Sequence, residues 1–293
     1  MLVRIRAAAA NPYDWHFMTG LPYFMRLQTG LLKPKANVLG ADMAGQVEEV
    51  GKSVTQFQAG DEVYGEGGGT FAEYVSASED ALAPKPTNLT LEQAAAVPMA
   101  GLTALQGLRD HGQIQAGKTV LINGASGGVG TFGVQIATSF GAEVTGVCST
   151  RNVDMVRSIG ADHVIDYTQE DFTQSAQSYD LILDLIGNHS SSECRRVLKP
   201  EGVYVASFGQ PDHLWLGPLA QLLRMLVLSR FVSQKMVAFT AHPTTADLQV
   251  LKELIEAGKV TPVVDRTCPL SETADAIRYL EEGHARGKVV ITV

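Results

Sequence analysis

The sequence predicts an α/β fold in which a doubly wound parallel sheet is inserted into a β-rich domain. Up to about residue 90, short strands are separated by glycines and prolines, which is typical of a compact β domain. Between residues 119 and 206, apolar strands alternate with helices, the rhythm of a parallel sheet. After about residue 240, a helix–strand–helix–strand pattern follows. We therefore expect one domain from residues 1–93 and 241–293 and a second from residues 94–240.

Composition and charge exclude several classes of protein. The chain has 293 residues, of which 45% are hydrophobic, and this is enough apolar sequence for a buried core. Its net charge of −8 argues against a nucleic-acid partner, which would need a basic face. Cys148, Cys194 and Cys268 are too few and too scattered for a disulfide scaffold or a four-cysteine zinc site. The first residues lack the apolar run of a signal peptide, so we expect a cytoplasmic protein.

The first third of the chain is expected to form strands joined by tight turns. Residues 3–6 alternate between apolar and polar side chains, as a half-buried strand does. The dipeptide Asn11-Pro12 is typical of turns, so we expect a turn after this strand. Three further short strands are expected at residues 44–51, 60–65 and 71–75.

The middle and the end of the chain are expected to alternate between helices and strands. Thr90 is a helix N-cap with Gln93 at the capping-box position, and Pro98 restarts the helix that follows. Strands are expected at residues 119–122, 143–147, 163–166, 180–184, 202–206, 263–266 and 288–293. Helices are expected at residues 129–140, 153–159, 193–198, 246–257 and 271–281. The continuous apolar strand at residues 119–122 is typical of a parallel sheet buried on both faces.

A glycine-rich turn joins this strand to the following helix. Gly124 permits a tight turn, Gly127 lets a diphosphate approach the backbone, and Gly130 lets the helix pack closely against the strand. The alternative is a flexible glycine loop without a ligand, but the strand before the turn and the helix after it favour a dinucleotide site. The expected dinucleotide contacts in this turn are Gly124, Ala125, Ser126, Gly127, Gly128 and Val129.

The end of the next strand indicates which dinucleotide binds. A site for NADH usually carries Asp or Glu there, whose carboxylate binds the ribose hydroxyls. This strand leads instead into Ser149, Thr150 and Arg151. Arg151 would attract a 2′-phosphate and Ser149 would donate a hydrogen bond to it, so we expect NADPH rather than NADH. The alternative for Arg151 is a solvated charge at the start of the following helix.

These residues and several shorter motifs give the chain a family resemblance. The chain resembles the medium-chain dehydrogenase/reductase superfamily, in its zinc-independent quinone-oxidoreductase-like branch. The matching pieces span essentially the whole chain and are the glycine-rich turn and residues 9–15, 40–45, 60–65, 68–74, 198–202 and 287–290. The resemblance implies a GroES-like catalytic domain around a Rossmann NAD(P)-binding domain. Family members usually begin with further residues ahead of the strand that starts here at Leu2, so we expect an unpaired strand edge.

The zinc ligands of related dehydrogenases have no counterpart in this sequence. Zinc-dependent relatives carry a cysteine in the segment that matches residues 11–15 and a His-Glu pair in the segment that matches Ala41 and Asp42. This chain has neither, and residues 65–71 lead directly to the next strand without the four cysteines of a structural zinc lobe. The resemblance therefore implies an enzyme with no metal site.

The chemistry implied by the resemblance is hydride transfer without a metal. NADPH would reduce a quinone or the β-carbon of an α,β-unsaturated carbonyl, and hydrogen-bond donors would stabilise the developing enolate. Tyr23 lies in the loop where related enoyl reductases carry a tyrosine proton donor, and aromatic packing is an equal alternative for it. Packing is the favoured interpretation for Tyr13, and Asp42 is expected to orient the pocket. The candidate catalytic residues are Asn11, Tyr13, Tyr23 and Asp42.

Further contacts follow from the resemblance alone. Additional cofactor contacts are implied at Thr103, Tyr167, Phe208, Gly209, Phe239 and Lys288. The alternative for Lys288 is a surface charge entering the last strand.

The apolar segment at residues 214–239 contains two arginines, so we interpret it as core, dimer face or substrate wall rather than as a membrane helix. We expect a homodimer acting on a small quinone or enone; the alternatives are an alcohol/aldehyde dehydrogenase and a non-catalytic NADPH-binding sensor.

Overall fold

The computed structural model describes residues 1–21, 23, 26, 30, 37–207 and 233–293. The chain divides into two compact units, one formed by Met1–Leu102 with His242–Val293 and the other by Thr103–Ala241. The sequence places these boundaries after residues 93 and 240. The first unit extends past residue 93 because the helix Leu91–Ala95 packs on its first two strands.

Strands and helices alternate along most of the chain. The strands are β1 (Leu2–Ala10), β2 (Asp42–Glu49), β3 (Glu62–Glu66), β4 (Tyr74–Ser76), β5 (Leu82–Pro84), β6 (Thr119–Asn123), β7 (Glu143–Cys148), β8 (His163–Asp166), β9 (Tyr179–Asp184), β10 (Leu198–Ala206), β11 (Lys235–Ala238), β12 (Val264–Pro269) and β13 (Lys288–Thr292). The helices are α1 (Pro12–Thr19), α2 (Leu91–Ala95), α3 (Pro98–Gln106), α4 (Gly128–Ser139), α5 (Val153–Ser158), α6 (Ser191–Arg196), α7 (Thr245–Glu256) and α8 (Thr273–Glu281).

The sheet of the first unit has β1 in its interior. Its strand order is β12-β13-β1-β2-β3-β5, and β4 pairs with the first residues of β1. Neighbouring strands run antiparallel except for β12 and β13. The first strand itself has partners on both sides, because β1 pairs with β2 on one side and with β4 and β13 on the other; the expected unpaired edge elsewhere in this domain stays a prediction.

Helix α1 replaces the turn that was expected after the first strand. Asn11 is its N-cap, and Pro12 occupies the first helical position, where its missing N–H costs nothing. The Asp14 carboxylate accepts the backbone N–H of Asn11 at 2.8 Å, which closes a capping box. The strand expected at residues 71–75 is also shorter than predicted and begins only at Tyr74.

The second unit is built on a parallel sheet in the order β11-β10-β9-β6-β7-β8. Every described strand pair in this sheet is parallel. Within this sheet, β6 comes first along the chain. Strands β7 and β8 follow on one side of it, and β9 is then placed on its other side. Ligands of such sheets bind beyond the carboxyl ends of the strands at this switch point. The predicted doubly wound parallel sheet is therefore confirmed.

Several elements in the later part of the second unit differ from the sequence-based expectation, and β10 begins at Leu198 rather than at residue 202. The helix expected at residues 193–198 spans Ser191–Arg196, because Ser190 caps it by accepting the N–H of Glu193 at 3.3 Å and Leu198 already belongs to β10. Strand β11 lies inside the apolar segment at residues 214–239, of which residues 214–232 lie outside the described ranges. In the part of the chain that the structure describes, no helix has the length and apolar character needed to cross a bilayer.

Candidate cofactor and catalytic sites

The glycine-rich turn lies at the carboxyl end of β6, at the switch point of the parallel sheet. Gly124 has a φ of 90°, in the left-handed region that favours glycine. A Cβ on Gly130 would lie 2.0 Å from the carbonyl oxygen of Gly124, so α4 can pack this closely only with glycine there. A Cβ on Gly127 would find nothing nearer than that same oxygen at 3.5 Å. The backbone at Gly127 is therefore open to the close approach of a diphosphate.

Helix α4 begins directly after this turn. Gly127 is its N-cap, and the N–H groups of its first turn have no acceptor within the helix. Those N–H groups and the positive end of the helix dipole favour an anion at Gly128 and Val129, which are partly exposed. Ala125 is fully buried instead, and its N–H donates to the carbonyl of Val147 at 3.0 Å. Ala125 thus fixes the turn to β7, whereas residues 127–129 can face a ligand.

A buried amide connects the turn to the end of β7. Nδ2 of Asn152 donates to Oγ of Ser126 at 3.0 Å and to Oγ of Ser149 at 3.2 Å. Asn152 is 5% exposed, and its Oδ1 is buried without a hydrogen-bond partner among the described residues. The structure therefore brings together two serines that the sequence named as cofactor contacts.

The carboxylate of Asp166 lies close to the end of β7 and is fully engaged. It accepts hydrogen bonds from Thr150 Oγ1 at 2.5 Å, from Thr168 N and Oγ1 at 3.0 and 2.8 Å, and from Gln169 Nε2 at 2.9 Å. The hydrogen bond from Thr150 is the main cause that lowers the pKa of Asp166. Arg151 and Tyr167, two further expected contacts, are exposed in the same region.

Asp184 is buried at the end of β9, beside the glycine-rich turn. Its carboxylate accepts from Asn123 Nδ2 at 2.9 Å, Tyr204 OH at 2.6 Å, and the backbone N–H groups of Ile186 and Gly187 at 3.0 and 2.9 Å. Burial and then the charge of Asp184 raise the pKa of Tyr204, so this hydroxyl stays a donor. The network fixes the loop after β9, whose Ile186 side chain would lie 2.8 Å from a Cβ on Gly124.

In the first unit, a buried polar cluster joins β2, β13 and the start of α1. Lys288 and Asp42 are 3% and 0% exposed, and Lys288 Nζ lies 3.1 Å from Asp42 Oδ2. Lys288 also donates to Asn11 Oδ1, while Asn11 Nδ2 donates to Asp42 Oδ2 at 3.0 Å and to the carbonyl of Ala9 at 3.1 Å. The N–H of Met99 donates to Asp42 Oδ1 at 2.8 Å. Lys288 is thus a buried, ion-paired cation, and the alternative of a surface charge is wrong.

Two further carboxyl groups adjoin this cluster. Asp14 accepts the backbone N–H groups of Asn11 and Gly40 at 2.8 and 3.0 Å, yet burial raises its pKa to about 7. Glu66 stands opposite Asp42 across the β2–β3 pair, and burial followed by the charge of Asp42 raises the pKa of Glu66 to about 8. Asp14 and Glu66 can therefore bind or release protons near neutral pH.

Both candidate tyrosines have packing partners. The ring of Tyr13 lies 4.1 Å from that of Phe17, and its side chain is 42% exposed. Burial, followed by the charges of Asp14 and Glu66, raises the pKa of Tyr13. The Arg26 guanidinium lies 4.6 Å from the centre of the Tyr23 ring. These contacts match the packing alternative, and a proton-donating role for either hydroxyl stays a prediction.

The remaining expected cofactor contacts are dispersed along the second unit. Thr103 is buried at its first position. Phe239 follows β11, and its ring lies 4.5 Å from that of His111 in the π-helical turn at Gly107–His111. Phe208 and Gly209 lie outside the described residues. Their cofactor roles therefore stay predictions.

The structure offers few ligands for a metal ion. Within the described ranges, no group of three or more His, Cys, Asp or Glu side chains could hold one. Burial raises the pKa of Cys148 to about 11 and also raises that of Cys194. Burial therefore favours the neutral form of both thiols.

Four residues of these sites were missed by the sequence analysis. Asp14 stands three positions after Asn11, and this capping-box spacing was the signal that could have identified it. Asn152 directly follows Arg151, but no sequence motif identifies an amide at this position as part of a cofactor site. Asp184 ends an apolar strand, and Glu66 acquires its role only by facing Asp42 in the folded sheet.

A glycine-rich turn at the switch point of a doubly wound parallel sheet is the arrangement of a dinucleotide-binding domain. Residues 1–87 match the family model described as alcohol dehydrogenase GroES-like domain, and residues 159–291 match the one described as zinc-binding dehydrogenase. The chain belongs to the medium-chain dehydrogenase/reductase superfamily, in its quinone oxidoreductase-like branch.

The relatives agree on nicotinamide-dependent oxidoreduction. The chain is 35% identical to mouse NAD(P)H oxidoreductase RTN4IP1, mitochondrial, over all of this chain and 81% of the relative. It is 36% identical to the NADPH-dependent alkenal/one oxidoreductase, chloroplastic, of Arabidopsis thaliana, over 99% of this chain and 71% of the relative. The quinone oxidoreductase structure from Coxiella burnetii superposes with a TM-score of 0.87 at 31% identity, covering 100% of this chain and 90% of that one. The chain is therefore an NAD(P)H oxidoreductase.

Proposed function

We propose that this enzyme transfers a hydride from NADPH to quinones or α,β-unsaturated carbonyls without zinc. The observation that carries the proposal is the end of β7, where Ser149 and Arg151 stand in place of an acid and Asp166 is already engaged by hydrogen bonds. A 2′-phosphate can bind there without meeting an unsatisfied carboxylate. The names of two relatives, an NADPH-dependent alkenal/one oxidoreductase and a quinone oxidoreductase, support the acceptor class.

The fit of a dinucleotide rests on the open backbone at Gly127 and on the N–H groups in the first turn of α4, which have no acceptor within that helix. When bound, the nicotinamide cofactor supplies the hydride. Ser149, Arg151 and Tyr167 are proposed to surround the 2′-phosphate. The other proposed contacts are residues 124–129, Thr103, Phe208, Gly209, Phe239 and Lys288.

Lys288 is proposed to stabilise negative charge on the acceptor. Two of its three ammonium hydrogens bind Asn11 and Asp42, and no described residue accepts the third. A cation fixed in this way can donate to an oxygen on which charge develops, as the enolate oxygen would. Asn11 has both amide hydrogens engaged, so we assign it and Asp42 to the positioning of Lys288. The proton that completes the reduction would come from Tyr23 or Tyr13.

The acceptor class is tested by following NADPH oxidation with a small quinone and a panel of enals and enones. We expect turnover with at least one of these and little with saturated aldehydes. Turnover restricted to alcohol and aldehyde pairs would identify the alternative dehydrogenase activity. Tight NADPH binding without turnover of any acceptor would identify a non-catalytic sensor and contradict the proposal.

Zinc independence is tested by metal analysis and chelation of the purified enzyme. Because the sequence lacks the zinc ligands of related dehydrogenases, we expect substoichiometric zinc and unchanged turnover after dialysis against a chelator. Stoichiometric zinc whose removal abolishes turnover would overturn this part of the proposal.

Arg151→Asp tests the NADPH preference. Replacing the cation by an anion beside the 2′-phosphate should weaken NADPH binding about 100-fold or more, because a charge-assisted contact becomes a repulsion. NADH binding should change little. The ratio of kcat/KM for NADPH and NADH measures the effect, and an unchanged ratio would show that Arg151 is only a surface charge. Arg157→Asp, in the last turn of α5, is the matched control for a charge reversal nearby.

The proposal extends to location and assembly. We propose a cytoplasmic homodimer, although the names of two relatives place those proteins in the mitochondrion and the chloroplast. Analytical ultracentrifugation of the purified chain would test the dimer.

A further inference from the structure

Asn152 is a buried side chain at the proposed cofactor site. Its Nδ2 carries two hydrogens, and two serine oxygens lie within reach, Ser126 Oγ at 3.0 Å and Ser149 Oγ at 3.2 Å. The opposite orientation of the amide would leave both N–H groups buried without an acceptor, whereas this one leaves only Oδ1 without a partner. The amide therefore acts as a double donor.

This arrangement determines what the two serine hydroxyls can do. Each Oγ accepts from Asn152, so the hydrogen of each hydroxyl is left to donate elsewhere. No described residue accepts either hydrogen, and both serines are partly exposed. Ser126 belongs to the glycine-rich turn and Ser149 follows β7, the place where this class of sheet binds the cofactor ribose. Two hydroxyl donors thus converge where an acceptor on the ribose would lie.

We propose that Asn152 is a positioning residue that sets the preference for NADPH by orienting the Ser126 and Ser149 hydroxyls as donors to the 2′-phosphate. The inference rests on the proposed NADPH dependence and identifies a device for it. The free oxygens of a fully ionised phosphate can only accept hydrogen bonds, so two oriented hydroxyl donors bind it more tightly. A 2′-hydroxyl offers a single weaker acceptor, so NADH gains less.

Asn152→Asp is the sharpest test, because the two side chains have nearly the same shape. An aspartate carboxylate can only accept, so it would take both serine hydrogens and present oxygen lone pairs and a negative charge to the phosphate. We expect the affinity for NADP⁺ to fall about 100-fold and that for NAD⁺ to change less than about threefold. Calorimetric titration of the full chain with NADP⁺, NAD⁺ and 2′,5′-ADP measures this without turnover.

A double-mutant cycle separates orientation of the serines from the added charge. Asn152→Ala should weaken 2′,5′-ADP binding about tenfold in the wild-type background. In a Ser126→Ala/Ser149→Ala background, the same substitution should have no further effect, because there are no hydroxyls left to orient. This neutral cycle also decides the question if Asn152→Asp does not fold, which thermal unfolding of each variant would show.

The outcomes distinguish this inference from the proposed function. If the wild-type enzyme binds NADP⁺ and NAD⁺ equally, the proposed NADPH dependence fails, and the inference fails with it. If the wild type prefers NADP⁺ and folded Asn152→Asp keeps that preference, only the inference is overturned. An equal effect of Asn152→Ala in both backgrounds would likewise show that the amide does not act through the serines.

Discussion

Lys288 is the residue on which the buried cluster of the first unit depends. Its ammonium is the only cation that the described residues place in contact with Asp42, whose other donors are the Asn11 amide and the Met99 N–H. A buried ion pair contributes little net stability when compared with an apolar pair, but the loss of one partner leaves a charge without compensation.

Lys288→Met should therefore destabilise the protein by about 3–5 kcal/mol, because Asp42 would stay buried and charged without its cation. Urea unfolding followed by circular dichroism measures the loss. The double variant Lys288→Met/Asp42→Asn should recover much of it, since no charge is then left unpaired. A loss of less than about 1 kcal/mol in the single variant would contradict the role of the pair.

Glu66 should make the stability fall as the pH rises. Its pKa is about 8 in the fold and 4.5 in the unfolded chain, so between these values the folded state binds more protons than the unfolded state. The stabilisation that Glu66 contributes is therefore fully present below about pH 4.5, declines between pH 4.5 and pH 8, and is lost above about pH 8. Asp14 acts in the same direction up to about pH 7.

Glu66→Gln should remove the contribution of Glu66. We expect the variant to unfold at higher urea concentration than the wild type at pH 8.5, by at least about 1 kcal/mol, and to match it near pH 5. Glu48→Gln, at an exposed position of β2, is the control and should leave the pH dependence unchanged. A wild-type pH profile retained in Glu66→Gln would show that Glu66 is ionised in the fold.

At the scale of elements, two glycines at the junction of β6 and α4 have different roles: Gly130 is needed for packing, and Gly127 leaves room for a ligand. A Cβ at Gly130 would collide with the carbonyl oxygen of Gly124, whereas a Cβ at Gly127 would collide with nothing. The φ of −80° at Gly127 also suits any residue. The two positions therefore serve different purposes, although the sequence shows the same residue at both.

Gly130→Ala and Gly127→Ala form a matched pair of variants. We expect Gly130→Ala to lower stability by about 2 kcal/mol or more, because backbone must move. Gly127→Ala should unfold at the wild-type midpoint but bind NADP⁺ at least about tenfold more weakly, because the methyl group blocks the diphosphate. Thermal unfolding and calorimetric titration measure the two effects. Equal stability losses in both variants would contradict this division.

At the scale of the whole molecule, the two units differ in chain continuity. The second unit is the single stretch Thr103–Ala241, whereas the first needs two separate stretches of chain. The second unit also has its own buried core, which includes Leu121, Ile182 and Tyr204. These features predict that the second unit can fold by itself.

Residues 103–241 expressed alone should therefore fold and bind 2′,5′-ADP with an affinity within about threefold of the full chain. The glycine-rich turn, Ser149, Arg151 and Asn152 all belong to this stretch. Circular dichroism and calorimetric titration check the two properties. A fragment that stays unfolded would show that the second unit depends on the rest of the chain. The first unit, residues 1–102 joined to residues 242–293, is expressed in the same way as the comparison.

The sequence by itself determined the parallel sheet and its glycine-rich turn, because strand periodicity, turn glycines and the adjacent helix start are local properties of a short segment. It also determined the absence of an acid in residues 149–152, which directly follow β7. Only the tertiary structure decided the cluster of Lys288, Asn11 and Asp42, whose bonds join residues 277 and 246 positions apart. The same holds for the proton affinity of Glu66 and the orientation of Asn152, because burial and facing partners set both, and neither leaves a periodic trace in the chain.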